Sequence, residues 1–278
     1  MITKAIIPVA GWGTRRLPIT KIIEKSMLPV GNRPLVDYSV QELIAAGVKD
    51  IYMVISNVEP CQVREFYRDN LALNQYLMDR GKEDGLKLAK TLPDDVKIRY
   101  TVQDPAGKYG TAVPIAMVVK QYKINEPVLV FMGDDFIWNP GGESAAESLI
   151  KVVGEGESAI LGVEIPRENV DKYGVLSAED GKLVGVVEKP TPEEAPSNLI
   201  NVSKYIMNPD LLKRIVKYVD ENNFGPGEQE YMVTDPIDEY IKEGGIMRVA
   251  PTDGEFLDGG SIEGWLHANN VVCNSEIA

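Results

Sequence analysis

The 278-residue sequence predicts an α/β fold, a Rossmann-like, doubly wound, mostly parallel sheet joined by a smaller mixed α+β lobe. Three observations predict it. Short apolar runs alternate with helix-spaced segments through about residue 165, a glycine-containing loop follows the first run directly, and the pattern then gives way to a hairpin. At 44% hydrophobic residues the chain can bury a core without disulfides or metals, which excludes a disordered tail. One domain over 1–278 is expected, with an α/β part to about 165 and the lobe, return strands and last helix over about 166–278.

Residues 4–9 (KAIIPV) form a short apolar run stopped by a loop, as in a buried parallel strand. Over 34–47, Val36, Val40, Leu43 and Ile44 recur at helical spacing, with Pro34 early in the first turn and Gly47 past the end. Residues 50–56, 97–103, 128–132 and 158–164 read as further strands, separated by helical stretches near 111–121 and 144–153. Residues 69–95 read as a partly helical excursion with a charged loop. Asp180-Gly181 lies between two short strand-like pieces and predicts a hairpin turn. Residues 191–198 are Pro-rich and acidic, hence a loop, and 199–207 returns as a strand. Helices near 209–219 and 230–242, a strand over 246–250, the segment FLDGGS and a helix from about residue 261 complete the chain.

The formal charge of −13 disfavours nucleic acid and anionic membrane surfaces as partners. No stretch of about 18 apolar residues predicts a membrane span, and the apolar part of residues 1–9 is too short for a signal-peptide core. Cys61 and Cys273, far apart in a chain that needs no staple, are read as unrelated reduced thiols, and a cytoplasmic location is expected. The sole histidine, His267, lies off the Ile262, Trp265 and Leu266 stripe and is read as a non-catalytic surface residue.

The loop AGWGTRR (residues 10–16) suits close backbone approach to phosphate, although Gly11 and Gly13 equally suit a plain tight turn. Arg16 occupies the third glycine position of a GxGxxG pattern, so a dehydrogenase-type loop is not complete, and no P-loop is present. Arg15, Arg16, Lys21 and Lys25 place four cations within eleven residues. They point to a polyanionic ligand or to a solvated basic edge.

The stretch AIIPVAGWGTRRLPITKIIEKSMLPVGNRPL resembles the opening of the sugar-1-phosphate nucleotidyltransferases. PVAG before the GxGTR core and VEKPTPEEAPSNLI at 187–200 resemble the bacterial-type UTP:glucose-1-phosphate uridylyltransferase branch, and GDD at 133–135, YGVL at 173–176 and LDGGS at 257–261 follow in family order. The resemblance implies transfer of a uridylyl group from UTP to glucose 1-phosphate, with UDP-glucose and pyrophosphate as products and no covalent enzyme intermediate. It makes the second lobe sugar-binding. Neighbouring alternatives are a thymidylyltransferase or a uridylyltransferase for another hexose 1-phosphate; an alternative of another class is a non-catalytic nucleotide-sugar regulatory protein.

By motif matching, Ala10, Gly11, Gly13 and Thr14 meet the nucleotide, Arg15 holds the β,γ-phosphates, and Lys25 serves the α-phosphate. Gly174, Glu188 and Lys189 take the sugar phosphate, with Arg15, Lys25 and Lys189 as the catalytic cations. Asp134 and Asp258 end apolar pieces and supply two hard oxygens for a Mg²⁺ cofactor, as the family pattern also assigns. Asp135 departs from the apolar residue common in this branch and is read as a turn cap or an outer contact. Gln103 can pair with the uracil edge and Gly110 fits the nucleotide pattern, whereas Lys108 replaces a glycine and Thr111 a histidine. Family members are dimers or tetramers, so a homodimer or homotetramer is expected.

Overall fold

The computed structural model describes residues 1–225 and 228–277. Its strands and helices, in chain order, begin with β1 (Lys4–Pro8), the short pair β2 (Pro29–Val30) and β3 (Arg33–Pro34), α1 (Leu35–Ala45) and β4 (Asp50–Ser56). Three helices follow, α2 (Gln62–Phe66), α3 (Leu71–Asp79) and α4 (Glu83–Ala89), then β5 (Lys97–Gln103), α5 (Ala112–Tyr122), β6 (Val128–Phe131) and β7 (Asp135–Trp138). Next come α6 (Ala145–Val152), β8 (Ser158–Glu164), the hairpin β9 (Gly174–Glu179) and β10 (Lys182–Glu188), and β11 (Leu199–Met207). The chain closes with α7 (Pro209–Glu221), α8 (Thr234–Lys242), β12 (Met247–Pro251), β13 (Glu255–Asp258) and α9 (Ile262–Ile277).

The main sheet has nine strands in the order β5-β4-β1-β6-β11-β8-β12-β10-β9. Strands β5, β4, β1 and β6 are mutually parallel, in the three-two-one-four order of a nucleotide-binding half, while β11 enters antiparallel to both β6 and β8. The topological switch point therefore lies between β1 and β6. Their carboxyl ends carry residues 10–16 and 133–135, the two segments with the most chemistry in the sequence.

Side-chain alternation on the strands explains why helices cover both faces. Ala5 and Ile7 of β1, with Leu129 and Phe131 of β6, belong to a core shared with Val36, Val40 and Leu43 of α1 and Leu149 of α6. Ile6, Val128 and Val130 point the other way, into a core with Ile115 and Val118 of α5, Leu211 and Ile215 of α7, and Ile237 of α8. A third cluster, Val30, Leu35, Phe136, Leu257, Ala268 and Val272, lies under α9. It seats the small two-stranded sheet of β7 and β13, with Tyr38 stacked on Phe136 at 4.2 Å.

Local signals account for the ends of elements. Ser144 and Glu147 form a reciprocal capping box on α6, and the Asn208 side chain accepts from Leu211 N–H at the start of α7, followed by Pro209. Asp180 and Gly181 adopt φ 48° and 71°, the left-handed pair needed to turn β9 directly into β10. This hairpin continues the main sheet at its far edge, and β9 also pairs with β11.

Two sequence readings change, and the partly helical excursion over 69–95 is borne out. The helix expected over 230–242 starts only at Thr234. Before it, Tyr231 N–H donates to the Tyr109 carbonyl, and the Tyr231 carbonyl accepts from Ala112 N–H, so that backbone is bonded across to the 109–112 loop. The charged excursion over 69–95 contains two separate helices, and α2 precedes it. Strand β7 begins immediately after Asp134, where a turn was read.

Candidate active site

The glycine loop leaves β1 at the switch point and folds over Lys25. Gly13 has φ 63°, and a Cβ there would sit 2.9 Å from Lys25 Cβ, so both conformation and space require glycine. Thr20 Oγ1 donates to the Gly13 carbonyl at 2.8 Å, and Arg16 N–H closes a 3₁₀ turn onto the same carbonyl at 2.8 Å. Gly11 lies close by, since a Cβ on it would be 3.7 Å from Lys25 Nζ. Gly11, Thr14 and Arg15 are exposed; Ala10 and Gly13 are half-buried.

The four cations of this segment do not form one cluster. Arg15 and Lys21 are exposed, Lys25 turns inward to an ion pair with Asp134, and Arg16 is buried at 1% exposure. The local basic density read from the sequence thus divides into a surface part and an interior part.

Asp134 and Asp258 are brought together by the unpredicted β7–β13 pairing. Asp258 stands opposite Asp135 in the register, and Gly259 N–H donates to the Asp134 carbonyl at 3.0 Å. A Cβ on Gly259 would lie 2.7 Å from that carbonyl oxygen, so the close approach depends on glycine. Burial pushes the Asp134 carboxyl upward, but Lys25, Lys204 and Arg16 outweigh it and hold the group below its ordinary range. Asp258 is raised by burial and by the neighbouring Asp134 charge, against the Gly260 N–H bond at 2.5 Å and the charges of Lys25 and Arg16.

Asp135 neither caps a turn nor faces the cleft. Its carboxylate pairs with the Lys204 ammonium, a side chain with 0% exposure, and burial raises its pKa to about 7 despite that partner. Lys204 also attracts the Glu42 carboxylate, which accepts from Ala146 N–H at 2.7 Å at the start of α6. A buried ionic network therefore underlies the aspartate pair. Lys204 has a readable sequence signal: it falls in step with Ile200, Val202 and Ile206 on the inward face of β11, where a lone lysine demands a buried acid. Arg16 has none, because nothing in a basic run tells which member turns inside.

The donor chemistry fits a small divalent ion. Two carboxylates converge, and among the described residues no group of three or more His, Cys, Asp or Glu could form an all-protein cage. That is the donor set of an ion completed by water and substrate phosphates.

At the edge of the main sheet, Gly174 and Glu188 are register partners on the β9–β10 hairpin, and a Cβ at Gly174 would be 3.2 Å from Glu188 Oε1. Glu188 Oε1 accepts from Thr234 Oγ1 at 3.1 Å, at the start of α8. Lys189 lies just past β10 with φ 46°, and its N–H donates to the Tyr173 carbonyl at 3.0 Å. A left-handed lysine after a strand is a strained conformation, so strand alternation does not set where Glu188 and Lys189 point. Both are exposed.

Gln103 ends β5, and its Nε2 donates to the Lys108 carbonyl at 3.3 Å, which fixes the orientation of the amide. Gly110, at φ 134°, is required by packing, since a Cβ would meet Tyr231 N at 2.4 Å. Lys108 points away to the end of α7, where it bonds the Val219 carbonyl and, at 2.7 Å, the Asn222 carbonyl. Thr111 Oγ1 accepts from Val233 N–H at 2.9 Å. His267 is paired at the surface with Glu255 at 2.7 Å, and both cysteines are free thiols.

Comparison with known proteins identifies the framework. The nucleotidyl transferase family profile matches residues 4–275. A UTP–glucose-1-phosphate uridylyltransferase of Pseudomonas aeruginosa is 32% identical over 97% of this chain and 95% of its own. A putative enzyme of the same name from Methanocaldococcus jannaschii is 35% identical, over 97% and 92%. Among solved structures, a UDP-glucose pyrophosphorylase complexed with UDP-glucose superposes with a TM-score of 0.83 at 28% identity, covering 99% of this chain and 100% of that one. The UTP-bound UGPase of Acinetobacter baumannii gives 0.84 at 25% identity, covering 98% and 93%. The chain belongs to the nucleotidyl transferase family and is a nucleotidyltransferase.

Proposed function

We propose that this chain transfers the uridylyl group of UTP to glucose 1-phosphate, forming UDP-glucose and pyrophosphate. The observation that carries the reading is the arrangement at the switch point: a glycine loop, Lys25 and the Asp134–Asp258 pair lie together, and Tyr173, whose carbonyl accepts from Lys189 N–H, feels the Asp258 charge. Relatives aligned over nearly the full chain carry this activity in their names.

A phosphate oxygen of glucose 1-phosphate attacks the α-phosphorus of UTP. The bond from that phosphorus to the bridging oxygen breaks, and its electron pair leaves with pyrophosphate. No side chain is covalently attacked, so positioning and charge compensation supply the rate. Ala10, Gly11, Gly13 and Thr14 turn backbone groups toward the nucleotide, Arg15 holds the β- and γ-phosphates, and Lys25 the α-phosphate. Lys189 holds the sugar phosphate, Glu188 accepts from glucose hydroxyls, and Gly174 offers its N–H. Gln103, whose N–H₂ is already directed at Lys108, presents its carbonyl oxygen to the uracil N–H; Gly110 lets the loop pass close to the base. Asp134 and Asp258 would hold Mg²⁺, which when bound offsets phosphate charge and keeps the α-phosphate in line.

A panel of nucleoside triphosphates and sugar 1-phosphates, read by pyrophosphate release, tests the reading. UTP with glucose 1-phosphate should give the highest kcat/KM. Preference for dTTP would move the assignment to a thymidylyltransferase, preference for another hexose would change the acceptor, and absence of turnover on every pair would leave a non-catalytic binding protein. The division near residue 165 into nucleotide and sugar parts, a homodimeric or homotetrameric state and a cytoplasmic location belong to the same proposal. Among the described residues no helix is long and apolar enough to cross a membrane.

A further inference from the structure

Arg16 is the most anomalous charged residue in the molecule. It is 1% exposed, and none of its Nε, Nη1 and Nη2 atoms has a hydrogen-bond partner. A guanidinium stays protonated inside proteins, and an unpaired interior charge is costly, so the anions around it must compensate at longer range. Among the described residues, the anions that act on it are Asp134 and Asp258. Its place in space agrees: a Cβ on Gly259 would lie 3.0 Å from Arg16 Nη2 and 2.7 Å from the Asp134 carbonyl, so the guanidinium rests against the backbone joint that holds the two aspartates together. An apolar side chain would fill this space beside Leu35 at lower cost.

We propose that Arg16 is a built-in counter-cation of the Asp134–Asp258 pair, which weakens its hold on a free divalent ion and favours entry of that ion together with the triphosphate. The inference rests on reading these aspartates as metal ligands. Around the pair, the carboxylates of Asp134, Asp135 and Asp258 face the cations Lys25, Lys204 and Arg16. Glu42 also leans on Lys204, so a bare divalent ion approaches a site whose negative charge is largely, not wholly, compensated. A metal–triphosphate complex carries net negative charge, and the same cations then attract it.

The test is titration of the intact protein with Mn²⁺ alone and with Mn²⁺–UTP, followed by calorimetry or by the electron paramagnetic resonance of the free ion. Arg16→Met, whose flexible chain can fill the space, should bind Mn²⁺ alone at least about tenfold more tightly than the parent and Mn²⁺–UTP more weakly. Arg16→Lys, which keeps the charge, should stay close to the parent in both. If Arg16→Met does not fold, Arg16→Gln carries the same expectation. Unchanged or weaker affinity of the neutral variants for free Mn²⁺ overturns the proposal. Asp134→Asn and Asp258→Asn separate the two ideas: if neither weakens Mn²⁺–UTP binding, the metal assignment itself fails, whereas if both do while the neutral Arg16 variants hold free Mn²⁺ as the parent does, only the role of Arg16 fails.

Discussion

The switch point of the sheet and the end of the β9–β10 hairpin handle charge in opposite ways. At the switch point between β1 and β6 the inward ionic groups compensate one another, Lys25 with Asp134, Lys204 with Asp135, and Arg16 beside Asp134 and Asp258, while Arg15 stays exposed. At the end of the β9–β10 hairpin, Glu188 and Lys189 stand exposed. Charges that must hold a fixed geometry before a ligand arrives are desolvated and braced, so damage to them reaches stability as well as rate. Charges that meet a ligand arriving from water remain hydrated, and their loss is felt only in turnover.

Four substitutions press on this contrast. Asp134→Asn should lower kcat/KM by at least about a thousandfold, or roughly 4 kcal/mol, while circular dichroism shows a folded chain; near-parent turnover would place the metal elsewhere. Lys204→Met leaves Asp135 buried without its partner and should cost about 3–5 kcal/mol in urea unfolding. Adding Asp135→Val should return most of that loss, and failure to do so would show that the pair is not the source. Lys189→Ala should remove about 2–4 kcal/mol of transition-state stabilisation, with stability changed by less than about 0.5 kcal/mol. A loss confined to the KM for UTP would contradict its place on the sugar phosphate. The smallest effect is expected from Gln103→Leu, which should narrow the preference for UTP over other triphosphates by about tenfold, near 1.4 kcal/mol, and slow the best substrate less. Equal losses with every base would remove Gln103 from base selection.

The sequence by itself determined the alternation of strands and helices, because burial on both faces of a sheet writes continuous apolar runs such as VLVF at 128–131, and caps and turns are local chemistry. The hairpin at Asp180-Gly181 and the strands over 50–56, 97–103, 158–164 and 199–207 were legible for that reason. The ordered motifs also pointed to the family to which the chain belongs. What only the tertiary structure decided is who stands beside whom. Strand β7 opens on a charged residue and so writes no continuous apolar run, yet its pairing with β13 sets Asp258 against Asp135; the bond from Tyr231 to Tyr109 cuts a helix short; and one of four neighbouring cations, Arg16, turns inside while Arg15 faces solvent. The physical reason is range: hydrophobic period and turn chemistry act over a few residues, whereas the partner of a buried charge lies wherever the chain returns, as when Lys204 meets Asp135 from 69 positions away.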